Sequence, residues 1–164
     1  MWRAECARNR GLCLMKQRNP GSVLVTLQFG ILFVLLWWVV WNLRLAALPP
    51  STWLLWGGGT LLGVWALAAN RPGNFNIRPV PKPDGQLVEH GPYRWIRHPM
   101  YSAVLLLAAG CATFLSALLG WVLVLLLAGV LAAKAALEER LMRELHPGYA
   151  PYCSRTRRFI PYLY

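Results

Sequence analysis

Acidic residues are scarce in this chain: six Asp and Glu stand against 17 Lys and Arg, a formal net charge of +11 over 164 residues. Such a balance invites a nucleic-acid reading, yet a nucleic-acid binder gathers its cations on one soluble face, and here they flank apolar segments. The excess reads as membrane topology, and nucleic acid is not among the expected partners. Cysteine is sparse and unpatterned. Cys6, Cys13, Cys111 and Cys153 form no CxxC or other metal-type spacing, so neither a zinc site nor a disulfide framework is expected. No GxGxxG occurs, so the usual turn for a dinucleotide pyrophosphate is missing.

Charge is also missing from long stretches, and these define the architecture. With 57% hydrophobic residues and a mean hydropathy of +0.40, the composition is that of an integral membrane protein. Val23 to Leu43 carries no charge over 21 residues, the length that crosses a hydrocarbon core of about 30 Å. Trp37, Trp38 and Trp41 crowd its far end, as an interfacial aromatic belt would. After a turn at Leu48 to Ser51, Trp53 to Ala69 forms a second apolar segment, in which Gly59 and Gly63 have a spacing that lets another helix approach closely. From Pro99 to Ala133 no charge appears, and one helix of that length would run about 52 Å. Two helices with a turn near Ser116 to Gly120 fit the bilayer better.

The expected fold class is therefore an all-α integral membrane protein with about four transmembrane helices, near residues 23–43, 53–69, 99–115 and 118–134. The last two form a hairpin. A basic segment, 1–22, precedes the spans, a proline-rich cap with a Pro-Asp-Gly turn fills 70–98, and a polar segment, 135–164, follows. Cations concentrate on one side of this topology, leaving Arg44 on the other. Both termini are accordingly expected in the cytoplasm, with the protein in the cell or inner membrane.

Most of the plausible chemistry falls in one polar window, Gly91 to Tyr101, reading GPYRWIRHPMY. Pro92 and Pro99 stiffen it, and Pro99 suits the first position of the following helix, where a missing N–H costs little. A second polar cluster begins after the hairpin, KAALEERLMREL, and the hairpin would return Glu138 and Glu139 to the side of His98. A bland reading is available for both. The window can serve as a juxtamembrane anchor, and Lys134/Glu138 and Glu139/Arg143 can be surface i,i+4 ion pairs.

GPYRWIRHPMY before the hairpin and EERLMRELHPGYAPY after it together resemble the isoprenylcysteine carboxyl methyltransferase and phospholipid methyltransferase group of membrane enzymes. The resemblance extends from about Asn70 to Pro161 and includes Tyr149, Tyr152 and Arg158 in the tail. One departure is the Ser102-Ala103 pair, which stands where that group often has a glycine. The resemblance implies an S-adenosyl-L-methionine pocket formed by the hairpin, the loop before it and the C-terminal segment.

That donor presents a sulfonium cation, an amino group, a carboxylate, ribose hydroxyls and an adenine, and the motif residues suit it. Glu138 and Glu139 can accept from hydroxyls or the amino group, and His98, Tyr101 and Tyr93 supply hydrogen bonds and aromatic walls, with Ile96 and Met100 as apolar neighbours. Methyl transfer is an in-line displacement that needs no metal. Arg97, His98 and Arg158 are the catalytic candidates: an arginine can grip a carboxylate acceptor, and His98 can serve as base for an amine or thiol. Arg94 and Arg158 are the substrate-binding candidates, while His90 and His146 read as exposed loop residues.

The expected acceptor is lipophilic, a prenylated cysteine or a lipid amine drawn from the surrounding membrane, with isoprenylcysteine carboxyl O-methylation as the nearest likeness. Two other classes fit the topology. One is a nicotinamide-dependent membrane reductase of the steroid reductase type, which the missing pyrophosphate motif disfavours. The other is a noncatalytic membrane scaffold.

Overall fold

The computed structural model describes residues 10–43, 48–70, 87–115 and 117–161. Residues 1–9, Arg44, most of the 70–98 cap and its Pro-Asp-Gly turn lie outside the described residues. Five helices occur among them: α1 (Arg10–Asn42), α2 (Pro50–Ala69), α3 (Pro99–Leu115), α4 (Leu118–Leu145) and α5 (Tyr149–Arg155). A 3-10 turn, Gly91–Arg94, precedes α3. No strand occurs among the described residues, only an isolated parallel bridge between Ile96 and Arg157. The all-α membrane fold expected from the sequence is the fold observed.

Three segments are long and apolar enough to cross a membrane: Gly21–Asn42, Pro50–Ala69 and Leu118–Glu144. The 17 residues of α3 are apolar too and make a rod of about 25 Å. Pro50 and Pro99 each open a helix, at positions where no intrahelical N–H bond is lost. In α4 the expected span ends where charge begins at Lys134, and the helix itself runs on unbroken through Glu138 and Glu139 to Leu145. Lys134, Glu138 and Glu139 turn toward polar partners inside the protein, so charge there marks a change of environment without ending the helix.

In lipid the apolar effect does little to hold helices together, so close packing and interhelical hydrogen bonds must. The α2–α3 pair uses both. The Thr52 and Thr113 hydroxyls meet at 3.1 Å, and the Trp56 indole donates to the Leu107 carbonyl at 3.1 Å. A Cβ on Gly59 would come within 3.1 Å of the Ala103 carbonyl and of Leu106 Cβ, and one on Gly63 within 3.5 Å of Ala103 Cβ. The small residues that allow this approach therefore lie on α2, opposite Ala103. This is how the helices stay close although α3 carries the Ser102-Ala103 pair.

Leu35 of α1, Ala108 and Ala112 of α3, and Val124, Leu127 and Leu131 of α4 form the buried core. Phe33, Trp37 and Trp41 stack in succession along an exposed face of α1, and Leu54, Leu61 and Leu125 are likewise exposed, the surface that lipid would cover. At the far end of α2, Gly91 has φ +60°, a left-handed backbone conformation that favours glycine. A Cβ there would also sit 2.7 Å from Ala69 Cβ.

Candidate active site

The loop before α3 and the segment after α5 are tied edge to edge. Arg97 N–H donates to the Arg157 carbonyl at 2.7 Å, Arg157 N–H to the Trp95 carbonyl at 3.0 Å, and His98 N–H to the Arg158 carbonyl at 3.0 Å. Side chains reinforce the join. The Ser102 hydroxyl donates to the Phe159 carbonyl at 2.6 Å, and the Tyr152 phenol to the Tyr93 carbonyl at 2.7 Å. Arg155 and Glu89 add an exposed ion pair at 2.6 Å, worth at most about 1 kcal/mol. Residues sixty or more positions apart thus share one short stretch of backbone pairing, and it sets Arg97, His98 and Arg158 beside α4.

Glu139 is the hub of what they form. Its carboxylate accepts from Arg97 Nε at 2.9 Å and from Arg158 Nη2 at 3.1 Å, and it lies 3.3 Å from His98 Nε2. Arg143, one turn along α4, reaches 3.8 Å. Arg97 is itself fixed, because its Nη1 donates to the Thr156 and Cys153 carbonyls at 2.5 and 3.2 Å and to the Thr156 hydroxyl at 3.3 Å. Two guanidiniums and an imidazole therefore surround a carboxylate whose side chain is 2% exposed. A charge so deeply buried is tolerable only with partners of this kind.

Glu138 differs in kind from its neighbour. One carboxylate oxygen accepts the Tyr101 hydroxyl at 2.5 Å and the other lies 3.5 Å from His98 Nδ1, while 22% of the side chain is exposed. Around it is an aromatic wall. The His98 and Tyr101 rings are parallel, with centroids 5.2 Å apart, and Phe159 leans on both at 5.8 and 6.4 Å. Tyr93 is half-buried nearby, and burial followed by the Glu138 charge pushes its phenol up to about 12. Burial likewise raises the Tyr149 and Tyr152 phenols, so all three are neutral hydrogen-bonding groups at ordinary pH.

Of the residues singled out from sequence, Arg97, His98, Tyr101, Glu138, Glu139 and Arg158 come together, and Tyr93 stands beside them. Arg94 does not join the cluster: it is exposed and has no ion-pair partner among the described residues. His90 is exposed and His146 partly so, and neither reaches the cluster. Sequence reasoning missed Phe159, Thr156, Gln28 and Lys134 as neighbours of the site. The Lys134 ammonium is buried, donating to Gln28 Oε1 at 2.7 Å and lying 5.0 Å from the Tyr101 ring centroid. A signal for that pair existed, since Gln28 interrupts an otherwise apolar run. Phe159 and Thr156 had none, because only the backbone pairing brings the tail in.

A donor with a sulfonium, an amino group and ribose hydroxyls needs an accessible carboxylate and aromatic surface. Glu138 combines partial exposure with the aromatic surface of Tyr101, His98 and Phe159. The Glu139 oxygens are occupied by Arg97 and Arg158 and screened from solvent. An all-helical membrane fold carrying such a site at one end of its last hairpin has the features of a membrane methyltransferase. The chain belongs to the phospholipid methyltransferase family, whose model matches residues 51–147, more than half of its length. That stretch takes in α2 from its second residue, all of α3 and α4, and the loop between α2 and α3, with α1 before it and Arg158 and Phe159 after it. No curated protein matches the chain.

Proposed function

We propose that the protein transfers a methyl group from S-adenosyl-L-methionine to an acceptor lipid that reaches the site from within the membrane. The observation that carries this reading is the pairing of two adjacent glutamates in opposite roles. Glu139 is closed by Arg97, Arg158 and His98 and holds loop, helix and tail in register, and that leaves Glu138 as the carboxylate available to a ligand. The donor, when bound, supplies an electrophilic methyl on a sulfonium cation. Glu138 accepts from its ribose hydroxyls or amino group, and the His98, Tyr101 and Phe159 rings shelter the positive charge and exclude water. Tyr101 fixes the orientation of Glu138 through their hydrogen bond.

For the acceptor, an amine headgroup agrees with the commitments already made inside the site. Arg97 and Arg158 are engaged by Glu139, and His98, although its ring nitrogens also face Glu138 and Glu139, is the side chain at the site whose chemistry suits taking a proton from an attacking amine. An isoprenylcysteine carboxylate is the second reading, favoured by Arg158, whose side chain is 29% exposed and could turn from Glu139 toward an anionic headgroup.

The test is methyl transfer from labelled S-adenosylmethionine by protein in vesicles, offering an aminophospholipid in one arm and a prenylated cysteine analogue in the other. Transfer to either acceptor, abolished or greatly slowed in Glu138→Gln, supports the reading. Folded protein that neither binds S-adenosylhomocysteine nor transfers a methyl to either acceptor refutes it.

A further inference from the structure

We propose that Lys134, held by Gln28 of α1, is a positioning residue for the donor side of the site, an inference that rests on the proposed function. Lys134 is 2% exposed and Gln28 7%, and their hydrogen bond spans the α1–α4 interface. Placing an ammonium among apolar helices is costly, and a leucine would pack there with less penalty. The charge is compensated by three groups. Gln28 Oε1 accepts from it at 2.7 Å, the Tyr101 ring faces it at 5.0 Å, and Glu138 lies one turn further along α4 and interacts with it electrostatically.

Two of these three groups belong to the candidate site. Tyr101 donates to Glu138, and the His98 ring stacks on Tyr101, so the ammonium borders the hydrogen bond that orients the ligand-facing carboxylate. A lysine has four side-chain torsions and would wander without an acceptor; Gln28 supplies one from a different helix. Lys134 thus presses a fixed positive charge on Tyr101 and Glu138, and α1 contributes to the site although it lies outside the stretch matched by the family.

The experiment uses the full chain in detergent, with Lys134→Met, Gln28→Leu and the double variant, reading thermal unfolding and S-adenosylhomocysteine affinity. A second readout is the fluorine resonance of a fluorotyrosine placed at position 101. Each single change leaves a buried polar group unmatched and lowers the unfolding temperature, while the double change removes donor and acceptor together and recovers much of it. The expected result is that the double variant, though restored in stability, binds S-adenosylhomocysteine about tenfold more weakly, the scale of one lost charge-assisted contact, and shifts the residue-101 resonance. Gln28→Glu, which keeps an acceptor, should recover affinity lost in Gln28→Leu.

A double variant with restored stability, wild-type affinity and an unmoved resonance would overturn the inference and make the pair merely structural. If the singles and the double all fail to fold, Gln28→Glu and Gln28→Asn still vary the acceptor's reach, and a resonance indifferent to both would overturn it as well. Failure of the wild-type protein to bind the adenosyl ligand would refute the proposed function instead, and the fluorine resonance would then decide whether Lys134 positions Tyr101.

Discussion

Exchanging each glutamate for glutamine separates the two roles, because the substitutions are isosteric and fall on adjacent residues. In Glu139→Gln the carboxylate charge disappears while Arg97 and Arg158 stay beside it. Removing one partner of a buried ion pair costs about 3–5 kcal/mol. Two features place this case near the lower end. Arg97 keeps the Thr156 and Cys153 carbonyls, and Arg158, being partly exposed, can rotate toward water. A loss of about 3 kcal/mol is therefore expected, a change of more than a hundredfold in the folded-to-unfolded ratio.

Glu138→Gln keeps a carbonyl oxygen for the Tyr101 hydroxyl and sits where solvent reaches it, so about 1 kcal/mol of stability is at stake. Its loss should appear in ligand affinity. The assay is reversible denaturation in mixed micelles beside calorimetric titration with S-adenosylhomocysteine. The reasoning fails if Glu139→Gln unfolds with the wild type, or if Glu138→Gln binds the ligand as the wild type does.

Other perturbations test the scaffold. Arg97→Lys replaces a fork that bonds Glu139 and the Thr156 carbonyl at once with a single point of contact, so faster amide exchange at Arg157 to Phe159 should accompany a loss of about 1–3 kcal/mol. Gly59→Leu forces a side chain into Ala103 and Leu106 and should cost about 1–3 kcal/mol, read as a lower unfolding temperature. Gly91→Ala meets both a positive φ and the Ala69 methyl; at least about 1–2 kcal/mol should be lost, measured by denaturation. The Tyr93 phenol, raised in the fold from 10.0 to about 12, contributes stability that is complete below pH 10 and lost as pH rises toward 12. Unfolding followed across that interval should be steeper with pH in the wild type than in Tyr93→Phe, and equal slopes would contradict it.

Local signals carried much of this architecture. Pro99 and the uncharged run after it marked α3, and the excess length of that run required a break before α4. Hydrophobic length is a one-dimensional property, and it survives into three dimensions. The pattern of charge after Ala133 reports only that a side chain is costly in lipid. It does not report whether a partner such as Gln28 or Arg158 neutralises that cost. The site was legible as a set of residues but not as a division of labour. Glu138 and Glu139 are chemically identical neighbours in sequence, and the 100° between successive residues of a helix turns one inward to the arginines and the other toward Tyr101.

The unbroken course of α4 makes the protein sensitive to the thickness of its membrane. At 28 residues the helix is a rod of about 42 Å in which the uncharged turns, 118–133, and the charged turns that carry the site share one axis, so a change of tilt imposed on the apolar part is carried to the site. A tilt change of about 1.5° about one end carries the other end through about 1 Å. Because Glu139 clamps Arg97 and Arg158, the loop and the tail travel with the rod and the donor wall moves as one body. One join that takes up the displacement is the contact across to α1, where Gln28 meets Lys134. Lipid chain length thereby becomes a mechanical input to the alignment of donor and acceptor, in an enzyme whose acceptor is itself proposed to be a lipid.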